Sequence, residues 1–227
     1  MGMRIELNVW ESDFFGRMIG TVYGITPEAL PSLDDYRLLQ ARVSAQDISL
    51  QQNLQQLGFC LVEGEITFLL DLAKKTPYQT ACQPATTQDL SELKALFGSA
   101  FPHSRFRAPW FSAEENQRFY QTWIENAVKG SFDDLCLIKR TQNHQLQGGV
   151  SLRLLAENVA QIGLLAVAPE FRRTGVGQQL LKAAVDWAIS QQADQLKIVT
   201  QLHNLAAIQL YQQAGAKVHA IHYWFYR

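Results

Sequence analysis

The chain has 227 residues, 47% of them apolar and 18% charged, with 12 Phe, 7 Tyr and 5 Trp; that material fills one sizeable core or two modest ones and excludes disorder as the main state. Lys plus Arg at 20 against Asp plus Glu at 21 gives a net charge of -1, without the basic excess from which non-specific nucleic-acid binding draws its affinity. Cys60, Cys82 and Cys136 form no close pair of the kind zinc ribbons or redox motifs need, and are expected to be reduced, buried fillers in a cytoplasmic protein.

Residues Arg4 to Trp10 alternate as a strand does, and Met18 to Ile25 read as a second strand. Helical spacing runs from Tyr36 to Leu57 and stops at Gly58, and Leu61 to Leu70 reads as a strand. The polar, twice Pro-interrupted stretch from Lys74 to Thr87 is the expected linker. It divides a small N-terminal α/β domain, residues 1–78, from a larger domain, residues 79–227. In the larger part, helices are expected over Asp89 to Ala100 and Phe119 to Lys129, then strands over Leu135 to Lys139, Gly148 to Leu155 and Val159 to Val167. A helix from Gly175 to Gln191, a strand from Leu196 to Thr200, a helix from Ala206 to Ala214 and a strand from Val218 to Tyr226 complete the chain.

This alternation predicts an α/β fold, a mixed α+β sheet layered by helices. The closing Tyr223-Trp224-Phe225-Tyr226 would place an apolar strand at a sheet edge, and the cover such an edge wants is expected from a homodimer. No apolar run reaches the roughly 20 residues of a membrane span, and no signal-peptide stretch is read at the start, so no membrane insertion is expected. None of the five His forms a helical His-x-x-x-His pair, so no metal site is expected.

After the strand ending Leu164-Leu165-Ala166-Val167 come Ala168-Pro169-Glu170-Phe171 and then Arg172-Arg173-Thr174-Gly175-Val176-Gly177, leading directly into a helix. The first turn of a helix has unpaired N–H groups and a partial positive charge, and glycines let a bulky anion approach them. A diphosphate suits such a loop. The Gly-x-Gly-x-x-Gly dinucleotide fingerprint and the Walker Gly-Lys-Ser/Thr are both missing. Downstream, His203-Asn204-Leu205-Ala206-Ala207-Ile208-Gln209-Leu210-Tyr211 runs on to Gly215-Ala216. This puts Asn204 at a helix start and Tyr211 four residues after Ala207, on the same face of that helix.

In this order and spacing, Arg172 to Gly177 and Asn204 to Gly215 resemble the acyl-CoA and Asn/Tyr signatures of the GNAT (GCN5-related N-acetyltransferase) superfamily, over about residues 82 to 227. The resemblance implies a GNAT acyl-CoA N-acyltransferase fold with acetyl-CoA as cosubstrate and no metal. It implies that amides around Phe171, Arg172, Arg173, Thr174, Gly175, Val176 and Gly177 hold the CoA pyrophosphate. Leu165 and Val167 would offer backbone N–H groups to the acetyl carbonyl and the pantetheine where strands splay. Asn204 would bond the pantetheine arm or a water, and Tyr211 would protonate the departing thiolate. Read without the resemblance, Tyr211 is a core residue with its hydroxyl at the rim.

Ser104-Arg105-Phe106-Arg107-Ala108-Pro109-Trp110, Arg118-Phe119-Tyr120, Trp123 to Ala127, the ending Tyr223 to Arg227 and the opening Trp10 to Gly16 look like GNAT members that acetylate dTDP-4-amino-4,6-dideoxygalactose in enterobacterial common antigen synthesis. That implies a nucleotide-sugar substrate, with Arg105 and Arg107 pairing its phosphates and Trp110 or Phe111 stacking on a ring. The same residues also read as a loop packed over the sheet. The proton acceptor for the amine is not named by the sequence; Glu125, Asp133, His103 and His203 are candidates. A GNAT with another amino-sugar nucleotide or small amine as acceptor, and a non-catalytic CoA-binding module, are the competing functions.

Overall fold

In the computed structural model, which describes residues 4–24 and 35–227, Asn8 produces the first departure from the sequence reading. Its side chain accepts the Glu11 N–H at 3.1 Å and so caps a helix. Strand β1 (Arg4–Leu7) therefore stops short of Trp10, and Val9–Phe15 form helix α1. Strand β2 (Ile19–Tyr23) follows; the expected end of that strand at Ile25 lies outside the described residues.

The single helix expected over Tyr36 to Leu57 is instead strand β3 (Leu38–Ser44) followed by helix α2 (Ile48–Gln56). Leu38, Leu39, Ala41 and Val43 are all buried. A strand covered on both faces shows a continuous apolar run rather than alternation, which lets it pass for a helix in sequence. Asp47 marks the change, accepting the Leu50 N–H at 3.0 Å.

Contacts divide the chain into two compact units, one of residues 1–66, 201–203 and 220–227, the other of residues 67–200 and 204–219. With strands β4 (Cys60–Asp71) and β10 (Lys217–Tyr226), the first unit has the strand order β1-β2-β3-β10-β4. β1 runs antiparallel to β2, β2 parallel to β3, and β3 antiparallel to β10 over Ser44↔His222 to Gln40↔Tyr226. Val22, Leu39, Ala41, Val43, Leu54, Phe59 and Phe225 form its core.

The closing strand is thus interior, between β3 and β4, with Phe225 and Tyr226 buried by their own chain. The exposed edge from which a homodimer was expected does not exist. The sequence could not show this, because an apolar strand reads alike whether its neighbours come from its own chain or from a second copy.

The second unit has the order β4-β9-β8-β7-β6-β5, with β5 (Gln83–Pro84), β6 (Leu135–Arg140), β7 (Leu146–Leu154), β8 (Val159–Val167) and β9 (Gln195–Gln201). Strands β5 to β8 are antiparallel, and β8 to β9 is a parallel step. Helix α5 (Val176–Ser190) makes that crossover. Helices α3 (Leu90–Ala100), α4 (Ala113–Lys129) and α6 (Leu205–Gln213) complete the unit. α4 begins earlier than the expected Phe119 because Ser112 and Glu115 cap it reciprocally, Ser112 N–H to Glu115 at 2.8 Å and Glu115 N–H to Ser112 Oγ at 3.1 Å. Among the described residues no helix is long and apolar enough to cross a membrane.

Of the cysteines only Cys136 is buried; Cys60 is exposed and Cys82 half-buried, so the expectation of three buried fillers holds for one. Burial pushes the Cys136 thiol far above its ordinary range.

The loop between α3 and α4 is pinned by one buried amide. Asn116 Nδ2 donates to Phe106 O at 2.8 Å, Ser104 Oγ at 3.1 Å and Phe101 O at 3.2 Å, while the Phe106 ring lies 4.0 Å from that of Phe119. Removing the amide strands buried acceptors. Asn116→Ala should therefore cost about 1–3 kcal/mol, read as a lower urea midpoint at unchanged m-value; an unchanged midpoint would show that the loop holds without it.

Candidate functional site

The parallel pairing of β8 with β9 runs from Val159↔Gln195 to Ile162↔Ile198 and ends there. β8 continues on its other side, pairing with β7 at Val150↔Leu165, Gly149↔Ala166 and Gly148↔Val167. Along this stretch Leu164 N–H goes to Ser151 Oγ at 2.9 Å and Ala168 N–H to Gln147 O at 2.9 Å. Backbone donors alternate sides along a strand, so the amides of Leu165 and Val167 point away from β7, into the gap left where β9 departs. The gap thus holds two strand donors with no ladder partner on that side.

Beyond Val167 the chain makes a 3-10 turn, Pro169–Phe171, which Thr174 Oγ1 closes by donating to Phe171 O at 2.7 Å. Arg172 Nε reaches back to Val167 O at 3.4 Å. Arg173 at φ 66° and Gly175 at φ 87° turn the chain into α5. Gly175 is the N-cap and carries no capping side chain, and the first intrahelical bond is Gln179 N–H to Gly175 O at 3.1 Å. The amides of Val176, Gly177 and Gln178 therefore precede the helix ladder, at the positive end of its dipole. No protein atom lies within 4 Å of where a Cβ at Gly175 would stand; the left-handed backbone, not crowding, calls for glycine there. Arg172, Arg173 and Thr174 are exposed around this opening.

Asn204 caps α6, its Oδ1 accepting the Ala207 N–H at 3.2 Å while its Nδ2 donates to Thr200 Oγ1 at 3.3 Å. Both ends of the amide are used, tying the end of β9 to the start of α6. Tyr211, seven residues on, is 5% exposed, its ring tilted against Phe68 at 6.0 Å. Burial pushes the phenol well above its ordinary range. The residue before it, Leu210, stands 3.5 Å from the place a Cβ at Gly177 would take, so α6 lies against the first turn of α5. Beside that contact a cleft of about 290 Å³ is lined by Lys75, Tyr78, Gln178, Lys182, Leu210 and Gln213, among others, with Lys182 Nζ 5.1 Å above the Tyr78 ring.

Arg105, Arg107 and Trp110 share the loop between α3 and α4, as expected, but the two arginines are engaged within it. The Arg105 guanidinium stacks 4.0 Å over Phe106, and Arg107 Nη1 donates to His103 O at 3.0 Å and Ser104 O at 2.8 Å. Trp110 is half-buried.

The candidate proton acceptors separate sharply. Glu125 lies between Lys129 and Lys94, whose hydrogen bonds lower its carboxyl to about 2 and engage both of its oxygens. Asp133 is fully buried and accepts from Ser151 Oγ at 2.5 Å and Trp123 Nε1 at 2.8 Å, with Arg153 Nη1 at 3.3 Å. His103 is exposed on the α3–α4 loop. His203, in the first unit, has its Nδ1 3.3 Å from Glu63 Oε1. Glu63 is 7% exposed and absent from the candidates read in the sequence. Its signal was there in retrospect: a carboxylate in an otherwise inward stretch of strand, Val62-Glu63.

The acetyltransferase (GNAT) family model matches residues 92–216. The dTDP-fucosamine acetyltransferase of Escherichia coli is 39% identical over 229 residues, covering 98% of this chain and 97% of its own. A spore coat polysaccharide biosynthesis protein of Bacillus subtilis is 25% identical over 200 residues, 86% of this chain and 68% of its own. Among solved structures, a GCN5-related N-acetyltransferase from Sphaerobacter thermophilus superposes with a TM-score of 0.65 at 14% identity, covering 99% of this chain and 75% of that one. One from Kribbella flavida gives 0.60 at 14% identity, over 92% and 80%. The structural likenesses establish the fold, and the identity to the Escherichia coli protein spans nearly the whole sequence: this chain belongs to the GNAT family and is an N-acetyltransferase.

Proposed function

We propose that the protein transfers the acetyl group of acetyl-CoA to the 4-amino group of dTDP-4-amino-4,6-dideoxygalactose (dTDP-fucosamine), giving dTDP-4-acetamido-4,6-dideoxygalactose and CoA, as a cytoplasmic step of enterobacterial common antigen synthesis. The observation that carries this reading is the 39% identity to the dTDP-fucosamine acetyltransferase of Escherichia coli over 98% of the chain.

The residues around the β8–β9 gap fit acetyl-CoA. The uncapped first turn of α5, with Phe171 to Gly177 leading into it, offers the diphosphate a row of amides, and the space beside Gly175 is open. Arg172 and Arg173 add charge at its rim. Leu165 and Val167 offer their gap-facing amides to the pantetheine and the acetyl carbonyl, and Asn204 closes the far side as the cap of α6. The Tyr78 ring and the Lys75 and Lys182 ammonium groups offer the nucleotide end an aromatic face and two cations.

Acetyl-CoA supplies a thioester: its carbonyl carbon gains a bond to the sugar nitrogen and loses its bond to sulfur. The gap-facing amides receive the charge that builds on the carbonyl oxygen. Tyr211 holds a proton for the leaving sulfur, and the burial that keeps its phenol protonated also disfavours a bare thiolate beside it. Of the four candidates for the proton released by the amine, Glu125 and Asp133 are committed elsewhere and the two histidines remain, reached directly or through water. The attack is direct and uses no acyl-cysteine; Cys136, buried with its thiol pushed up, is a poor nucleophile.

A second reading, a small amine without phosphates as acceptor, is favoured by one observation: the Arg105 guanidinium stacks on Phe106 and Arg107 donates to carbonyls of its own loop. Thiol release from acetyl-CoA with dTDP-4-amino-4,6-dideoxygalactose, beside other amino-sugar nucleotides and aminoglycosides, separates the two. Turnover confined to the dTDP-4-amino sugar is expected; preference for another amine would replace the substrate and keep the chemistry. Tyr211→Phe should lower kcat by about 10²–10⁴-fold with little change in acetyl-CoA KM, and full activity would remove Tyr211 as the acid. Gly175→Leu should raise the acetyl-CoA KM by about tenfold or more, through side-chain bulk over the amides and a disfavoured φ. An unchanged KM would place the cofactor elsewhere.

A further inference from the structure

The β7–β8 ladder shifts register between Val150 and Leu152. On β7 the residue between the pairs Val150↔Leu165 and Leu152↔Ile162 is Ser151 alone, while on β8 two residues, Gly163 and Leu164, fill the same interval. This is a bulge, in which two residues oppose one and a ladder bond is lost. It sits at the place where β8 also loses β9, whose pairing ends at Ile162↔Ile198. At that point β8 has regular backbone pairing on neither side, and what fixes it is a side chain.

Ser151 Oγ accepts the Leu164 N–H at 2.9 Å and donates to Asp133 Oδ2 at 2.5 Å. Asp133 is 0% exposed, and Trp123 Nε1 on α4 donates to the same oxygen at 2.8 Å. A Cβ at Gly163 would overlap both the Asp133 carboxylate and Ser151 Oγ, so the carboxylate occupies the space beside the bulge that a side chain would otherwise take.

We propose that Ser151 and Asp133 are positioning residues for acetyl transfer, the hydroxyl standing in for the lost ladder partner and the carboxylate fixing that hydroxyl's direction. The link at Leu164 sets the alternation of the amides that follow, sending that of Leu165 into the gap. A buried carboxylate is a poor way to gain stability, because its desolvation offsets most of what its partners return. Aiming a backbone donor is a use that an apolar residue of the same size could not serve. No titration or movement is required, since the pair acts by holding one amide still, and no contact between Ser151 or Asp133 and the substrates is implied. The inference rests on the reading that acetyl-CoA occupies the β8–β9 gap.

The test combines kinetics with amide NMR on protein labelled at Leu, Val and Gly. Ser151→Ala is expected to lower kcat by about ten- to a hundredfold while acetyl-CoA KM stays within about threefold, and to shift the Leu164 and Leu165 amides. Ser151→Thr, which keeps the hydroxyl, should restore both. If Ser151→Ala does not fold, Trp123→Phe, which removes one donor from Asp133 and leaves the Ser151 link in place, should still move the Leu165 amide and lower kcat severalfold. A kcat within about twofold of the unaltered enzyme, or a loss matched by the unfolded fraction alone, would overturn the positioning role. Acetyl-CoA added to the unaltered protein should shift the Leu165, Val167 and Gly177 amides. Failure of that shift overturns the cofactor placement and this inference with it, whereas a normal shift with an unaffected Ser151→Ala overturns the inference alone.

Discussion

A strand in the middle of a sheet is ordinarily held from both sides, and much of the second unit follows from β8 giving up one of those sides after Ile162. Donors that would have closed a ladder are left facing a gap, and an unsatisfied backbone group away from water is costly. The surrounding structure arranges for that cost to be borne. β7 stays paired to the end of the strand, Ala168 N–H is anchored to Gln147 O, and Thr174 closes the turn that follows. The ligand proposed for that opening, acetyl-CoA, brings acceptors of its own. The first turn of α5 repeats the pattern, with amides offered and no side chain capping them.

On the proposed reading, binding and chemistry divide between two secondary-structure ends. β8 and α5 supply fixed dipoles that cost nothing to orient when charge develops, whereas α6 supplies the side chain asked to give a proton to the leaving sulfur. Asn204 is the joint between them. Its amide serves α6 with the oxygen and β9 with the nitrogen, so the helix that carries Tyr211 is located by the strand that forms the far wall of the gap. A shift of β9 would carry the acid with it.

The second unit was largely legible in the sequence because its elements are separated by unambiguous signals: an apolar strand, a glycine pair, a helix, then Asn204 and Gly215 bracketing α6. The first unit was less so. β3 is covered on both faces and loses the alternation that marks a strand, and Asn8 and Asp47 are caps that matter only once the residues after them are known to be helical. β10 was recognised as a strand but misplaced, since pairing partners far apart in the chain leave no local trace. Among the candidate residues, the glycines and Tyr211 announced themselves by pattern. Glu63 and Ser151 did not, because what distinguishes them is a neighbour distant in sequence, His203 in one case and Asp133 in the other. Asp133 was noticed as a titratable group and turned out to be engaged as an acceptor of three donors.

The space beside the bulge has a consequence for how this sequence can vary. Asp133 fills the volume that a side chain at residue 163 would need, so the two positions do not drift independently. An alanine at 163 becomes tolerable only after the carboxylate has been shortened or turned away, and a shorter residue at 133 opens a void that invites one. What stands at one position therefore constrains what fits at the other, a linkage between residues 30 apart in sequence that comes from one shared pocket of space.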